Sequence, residues 1–116
     1  MKESILQQKA FEFASSIVVF YQNYSKKHKD NTLSKQLLRS ATSIGANISE
    51  AQYGNSKSDF ISKLHISLKE TGESIYWIKL LKNTKLVEDE EADNLLYRAE
   101  EIRKMLVASL NTLKIH

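Results

Sequence analysis

Leu37, Ala41, Ile44, Ile48 and Ala51 recur at alternating steps of four and three. Only a period near 3.6 brings such positions into line, so they form one side of a helix. The same rhythm returns in three other stretches. One is Leu6, Ala10, Phe13, Ile17, Phe20 and Tyr24; the next is Ile61, Leu64, Leu68, Thr71, Ile75 and Ile78. The last runs through Ala92, Leu95, Ala99, Ile102, Leu106, Leu110 and Leu113. With no proline and three glycines in 116 residues, there is little material for sheets and tight turns. The pattern predicts helices over about 4–26, 32–53, 57–83 and 88–113. Four helices with short connections make a single all-α domain over 1–116, an antiparallel up-down-up-down four-helix bundle.

The punctuation between the seams agrees. Ser25-Lys-Lys-His-Lys-Asp-Asn31 is a polar connection whose lysines suit a helix C-terminus, and Thr32 is the expected N-cap of the second helix. Gly54-Asn55 reads as a stop, with Gly near C′, and Ser56 or Ser58 caps the third helix. Asn83-Thr84-Lys85 breaks the third helix, Leu86 and Val87 fold onto the bundle end, and Glu88 to Glu91 open the fourth, where acids favour the dipole. Gly45 and Ala46 lie beside the second seam, where small side chains let a neighbouring helix approach. A mid-helix Gly costs roughly 1 kcal/mol against Ala, which implies a packing reason. The first helix carries a second apolar stripe, Phe11, Ala14, Val18 and Tyr21. Such a wide arc leaves room for a subunit contact.

Several function classes are disfavoured. Without cysteine there is no disulfide, thiolate metal site or Cys nucleophile, which fits a reducing compartment. No apolar run reaches the ~20 residues of a membrane span, and MKESILQQKAFEF has no uninterrupted apolar core of the kind a signal peptide needs; a cytoplasmic protein is expected. No Glu is followed three residues later by His, which removes the usual di-iron bundle site. His28, His65 and His116 have no helical ligand spacing, and there is no phosphate loop, Ser elbow or HExxH. No catalytic residue, metal ligand or cofactor site is predicted, and the chain reads as non-enzymatic.

Net charge is +3, unevenly distributed. Through Val87 there are thirteen Lys+Arg against seven Asp+Glu, and from Glu88 onward four against seven. Either these are ordinary solvated helix faces or the first three helices build a basic surface that attracts phosphates. The candidate contacts are Lys26, Lys27, Lys29, Lys35, Lys57 and Lys63; with no loop aromatics arranged for stacking, binding should be sequence-tolerant and salt-dependent. A second, polar row of Ser40, Ser43, Asn47 and Glu50 runs beside the apolar seam of the second helix. In an antiparallel pair turning near Gly54-Asn55, Asn47 comes opposite Ser62 to Lys63, and Arg39 opposite Glu70 to Glu73. A buried or half-buried Arg39–Glu70 or Arg39–Glu73 bridge is expected.

The segments LRSATSIGANISEAQ and SKSDFISKLHISLKETGESIYWIKLL, from Leu38 to Leu81, resemble the four-helix bundle protein family, also called the 23S rRNA intervening-sequence protein family. The matching positions are Leu38, Arg39, Ala41, Ser43, Ile44, Ala46, Asn47, Ile48 and Glu50, then Ser56, Lys57 and Phe60, then Glu70, Glu73, Tyr76 and Trp77. Amphipathicity alone does not demand the polar members Arg39, Asn47 and Glu50. Ala51 departs from the family, where Gly is common. The resemblance implies a left-handed bundle that assembles as a homopentamer, with Arg39, Ser43, Asn47, Glu50, Glu70, Glu73, Tyr76 and Trp77 in structural or assembly roles. It extends to the accessory protein of diversity-generating retroelements, a basic pentameric barrel that binds nucleic acid and a reverse transcriptase. The expected function is a self-assembling bundle that binds structured RNA or DNA. The alternatives are an adaptor for another polypeptide, or a small-molecule binder in the bundle or ring interior.

Overall fold

The computed structural model describes residues 4–115, which form four helices: α1 (Ile5–Lys27), α2 (Thr32–Ala51), α3 (Lys57–Asn83) and α4 (Asp89–Ile115). Residues 28–31, 52–56 and 84–88 connect them. Connections this short cannot carry the chain back along a helix ~30 Å or longer, so consecutive helices run antiparallel. The cross-helix bonds agree: Glu50 meets Lys63, Ile44 meets Ser67 and Ser40 meets Ser74, with numbers falling on α2 as they rise on α3. The helices pack in a ring, α1 on α2, α2 on α3, α3 on α4 and α4 on α1. The rod measures 47 × 22 × 21 Å.

The predicted seams are the core. Phe13, Ile17, Leu37, Ile44, Ile48, Leu64, Ile78, Ile102 and Leu106 are all buried, driven inward by the ~25 cal/mol per Å² that apolar surface gains on leaving water. Val87 is buried as the cover of one bundle end. The second stripe of α1 faces outward: Phe11 is 71% exposed and Val18 is also exposed, while Ala14 and Tyr21 are half-buried.

The small side chains of α2 and α3 let these helices meet through polar groups. Ser40, Ser67, Thr71 and Ser74 are fully buried. Ser67 donates its hydroxyl to the Ile44 carbonyl across the interface at 3.0 Å, and the Ser40 and Ser74 hydroxyls bond each other at 2.8 Å. A buried hydroxyl without a partner costs roughly 1–3 kcal/mol, so these bonds are what makes a serine-rich interface tolerable.

α1 and α4, which no turn joins, approach each other less closely than the other neighbouring pairs. Grooves of about 360 and 430 Å³ lie along their seam. It is bridged by Lys9–Glu101 at 3.3 Å and by Arg98, whose Nη1 donates to Ser16 Oγ at 3.2 Å.

The helix ends correct several expectations. Thr32 lies inside α2 rather than capping it. The N-cap is Asn31, whose side chain makes no capping bond, and Asp30 before it supplies the acceptor: its carboxylate accepts from the Thr32 backbone N–H at 2.9 Å and the Thr32 hydroxyl at 2.7 Å. Ser56 caps α3, accepting from the Asp59 N–H at 3.1 Å. The second helix stops at Ala51, before the expected 53, and Gly54 does not take the left-handed conformation. That conformation falls instead to Lys85, with φ 62°. Leu86 N–H bonds the Leu81 carbonyl at 3.1 Å and Lys85 N–H bonds the Lys82 carbonyl at 3.0 Å, the Schellman pattern usually built on glycine.

Gly45 proves less special than its position suggests. α1 does approach it at Ala10, but a Cβ placed there would lie 3.6 Å from the Ala10 carbonyl oxygen and 3.7 Å from its Cβ, ordinary contact distances. Gly45→Ala therefore raises stability by about 0.5–1 kcal/mol, the helix preference of Ala over Gly. Urea denaturation checks this; a loss of stability would mean that α1 needs the bare backbone.

Candidate nucleic-acid interface

The family-motif residues gather along the α2–α3 face. Arg39 bridges both expected acids: Nη1 meets Glu70 Oε2 at 3.5 Å, and Nη2 donates to Glu73 Oε2. The same Glu73 oxygen accepts from Trp77 Nε1 at 3.2 Å, and Tyr76 stands edge-on to Trp77 with ring centres 5.1 Å apart. The Glu73 hydrogen bond is the main influence holding the Arg39 guanidinium above its ordinary pKa. The bridge lies at the rim of the bundle and is half-buried as expected, with the Arg39 side chain 51% exposed but those of Glu70 and Glu73 only 15% and 30% exposed. Ser43 and Asn47 bond back within α2, to the carbonyls of Arg39 at 2.9 Å and Ser43 at 2.8 Å. Glu50 is exposed and pairs with Lys63 at 3.0 Å. The polar row thus passes from buried at Ser40 to solvated at Glu50.

A rim position sets the strength of the bridge. Arg39→Met should lower stability by roughly 1 kcal/mol, the upper end for an exposed ion pair, because one cation holds two carboxylates. A double-mutant cycle with Glu73→Gln measures the coupling; purely additive effects would show that the pair contributes nothing.

The six candidate lysines do not form one surface. Lys26 and Lys27 end α1, Lys29 lies in the turn and Lys35 is near the start of α2, so these four share one end of the bundle. Lys57 and Lys63 sit at the start of α3, beyond the other end of α2, which is ~30 Å long. Lys63 is engaged by Glu50. Lys26, Lys27, Lys29 and Lys35 are exposed, and among the described residues none is within ion-pair distance of a carboxylate. Nearby, Lys82 pairs with Asp93 at 2.7 Å and Lys85 with Asp89 at 3.7 Å. Asp93 and Asp89 on α4 thus engage the lysines at the end of α3, while Lys26, Lys27, Lys29 and Lys35 stay outside ion-pair distance, with Glu88 and Glu91 lining the same groove as Lys26 and Lys27.

The α1–α2 corner holds an aromatic pair that sequence reasoning missed. The ring of His28, the C-cap of α1, stacks on Tyr24 with centres 4.0 Å apart and planes 17° from parallel. Tyr24 is buried, and its hydroxyl pKa is raised by that burial first and by the Asp30 charge second. The Thr32 hydroxyl and then its backbone N–H hold the Asp30 carboxyl below its ordinary pKa. The spacing of four between Tyr24 and His28 was the available signal; it straddles a helix end, where periodicity stops being informative. His65 is exposed on α3 and His116 lies outside the described residues.

Among the described residues, no group of three or more His, Asp or Glu side chains could hold a metal ion. No helix there is long and apolar enough to cross a membrane. No curated protein matches the chain. A solved structure does, that of a protein of unknown function from the S23 ribosomal protein family of Bacteroides thetaiotaomicron. Identity is 42%, the match covers 91% of this chain and 98% of that one, and the TM-score is 0.89. The model of the 23S rRNA-intervening sequence protein family matches residues 2–108. The chain, with its four-helix bundle and its Arg39-to-Trp77 polar face, belongs to the 23S rRNA-intervening sequence protein family.

Proposed function

We propose that this protein is a non-enzymatic, self-assembling helical scaffold that binds nucleic acid through the α1–α2 end of the bundle. The carrying observation is the cluster of Lys26, Lys27, Lys29 and Lys35, exposed and unpaired with acids among the described residues. Four ammonium groups around one turn attract a phosphate backbone and release its counterions, which is the main source of sequence-independent affinity. The family is named for intervening sequences of 23S rRNA, which favours RNA as the ligand to try first. Self-assembly rests on Phe11 and Val18, exposed seven residues apart on one line along the outside of α1, with half-buried Ala14 and Tyr21 beside them. Contiguous exposed apolar surface is the feature that marks a contact face. The resemblance makes a homopentamer the expected assembly.

Light scattering with and without a short structured RNA at moderate salt tests both parts. A multiple of the 13.3 kDa chain mass that gains RNA mass, and releases it as salt rises, is the expected result. A monomer that ignores RNA overturns the proposal. The exposed α1 strip also supports a second reading, an adaptor whose partner is another polypeptide. An assembly that forms normally but ignores RNA well below physiological salt favours that reading.

A further inference from the structure

We infer that the His28–Tyr24 stack is a base-stacking platform, so that the α1–α2 end takes an unpaired nucleotide of a single strand rather than a duplex; this rests on the nucleic-acid reading above. Tyr24 is buried and gives the stack a fixed backing, while His28 is half-buried. His28, Tyr24 and Leu86 line two grooves at once, of about 520 and 210 Å³, so the stacked pair is part of the ridge between them. Lys26 and Lys27 line the larger groove with His28, and Lys29 lines the smaller. A strand crossing the ridge lays a base against the imidazole and sets its flanking phosphates among cations on either side. Every base has a π-face, so such a platform is tolerant of sequence.

The acids around the grooves supply the discrimination. Glu88 and Glu91, from the α4 side, also line the larger groove, opposite the α1 lysines. One backbone can follow the lysine side, whereas the second backbone of a duplex is brought toward carboxylates. Asp30, in the smaller groove, has its Oδ1 engaged by the Thr32 N–H and hydroxyl. A duplex also keeps its bases paired and away from the ring.

The stacking and phosphate contributions differ in salt dependence, since only the latter releases counterions. Fluorescence anisotropy on the full chain, using a labelled single-stranded oligonucleotide and a blunt duplex of the same length, separates them. His28→Ala should weaken single-strand binding about thirtyfold, the middle of the range for one stacked base. Duplex affinity and the salt slope should be unchanged. His28→Phe, which keeps a stacking face, should restore single-strand affinity. His28→Leu covers Tyr24 without a π-face, so it should behave like Ala and guards against a folding artefact.

Equal losses on both probes, no loss on either, or full recovery with Leu would overturn the platform while leaving the lysine end as the binding surface. So would a wild-type preference for the duplex. If the wild-type chain binds neither probe at low salt, the nucleic-acid reading itself fails.

Discussion

Phe13→Ala should destabilise the bundle by about 3–5 kcal/mol, a large share of the roughly 5–15 kcal/mol available to a domain of this size. Phe13 is 1% exposed, and the core around the α1 seam is rich in alanines, including Ala10, Ala41, Ala92 and Ala99. Methyl groups cannot extend into the space a phenyl ring leaves, so the cavity persists and the cost sits at the high end. Phe11→Ala, two residues away and 71% exposed, is the matched control. Within one chain it should change stability by less than about 0.5 kcal/mol. If Phe11 lies at a subunit contact, its loss appears as a lower melting temperature that rises less with protein concentration than that of the unaltered chain. Thermal unfolding of both variants at several concentrations makes the comparison. Equal, concentration-independent losses would mean that the two stripes of α1 are not inside and outside as described.

The second large effect is on binding. Reversing Lys26, Lys27 and Lys29 to glutamate together should weaken RNA binding about a hundredfold or more at ~0.1 M salt, and lower the log–log salt slope by roughly two to three. All three are exposed near the end of α1 and unpaired among the described residues, so the folded state should tolerate the change. Their positions at the negative end of the α1 dipole make some loss of helix stability unavoidable, and circular dichroism sets its size. Lys57→Glu, at the opposite end of the rod, should leave affinity nearly unchanged. Comparable losses from Lys57 and from the triple variant would replace a local site with a general attraction of a basic protein for polyanions.

Much of this was legible in the chain. The four seams follow from periodicity alone. The Arg39–Glu70 and Arg39–Glu73 bridges follow from one further step, that an antiparallel pair brings residues equidistant from its turn together. That rule puts Glu50 opposite Asp59, one helical turn short of its actual partner Lys63, and Lys63 read as a surface cation because a solvated lysine looks the same in sequence as a bonded one. Grouping six lysines as one face failed for a related reason: net charge counts residues without recording which end of a 47 Å rod they occupy. The helix ends were the least readable. Thr32 is a good cap by type, yet it is Asp30 that reaches forward to the Thr32 N–H, and the left-handed residue is Lys85 rather than a glycine. At Lys85 the burial of Leu81 and Val87 around the turn outweighs a backbone cost of about 1–2 kcal/mol. His28 was legible only as a loop histidine, since its partner lies in the preceding helical turn.

The sparse seam between α1 and α4 has a consequence for how the chain finds its fold. Three of the four helix pairings are between neighbours in sequence, so each closes a loop of four or five residues at little entropic cost. Such a topology has low contact order, which places its folding among the fast, helical class. Only the α1–α4 pairing joins distant parts of the chain, and it does so with a less close backbone approach and with grooves left along it. It is therefore the last pairing to form and the first to open, so the amide hydrogens of α1 and α4 exchange with solvent ahead of those at the serine-bonded heart of α2 and α3.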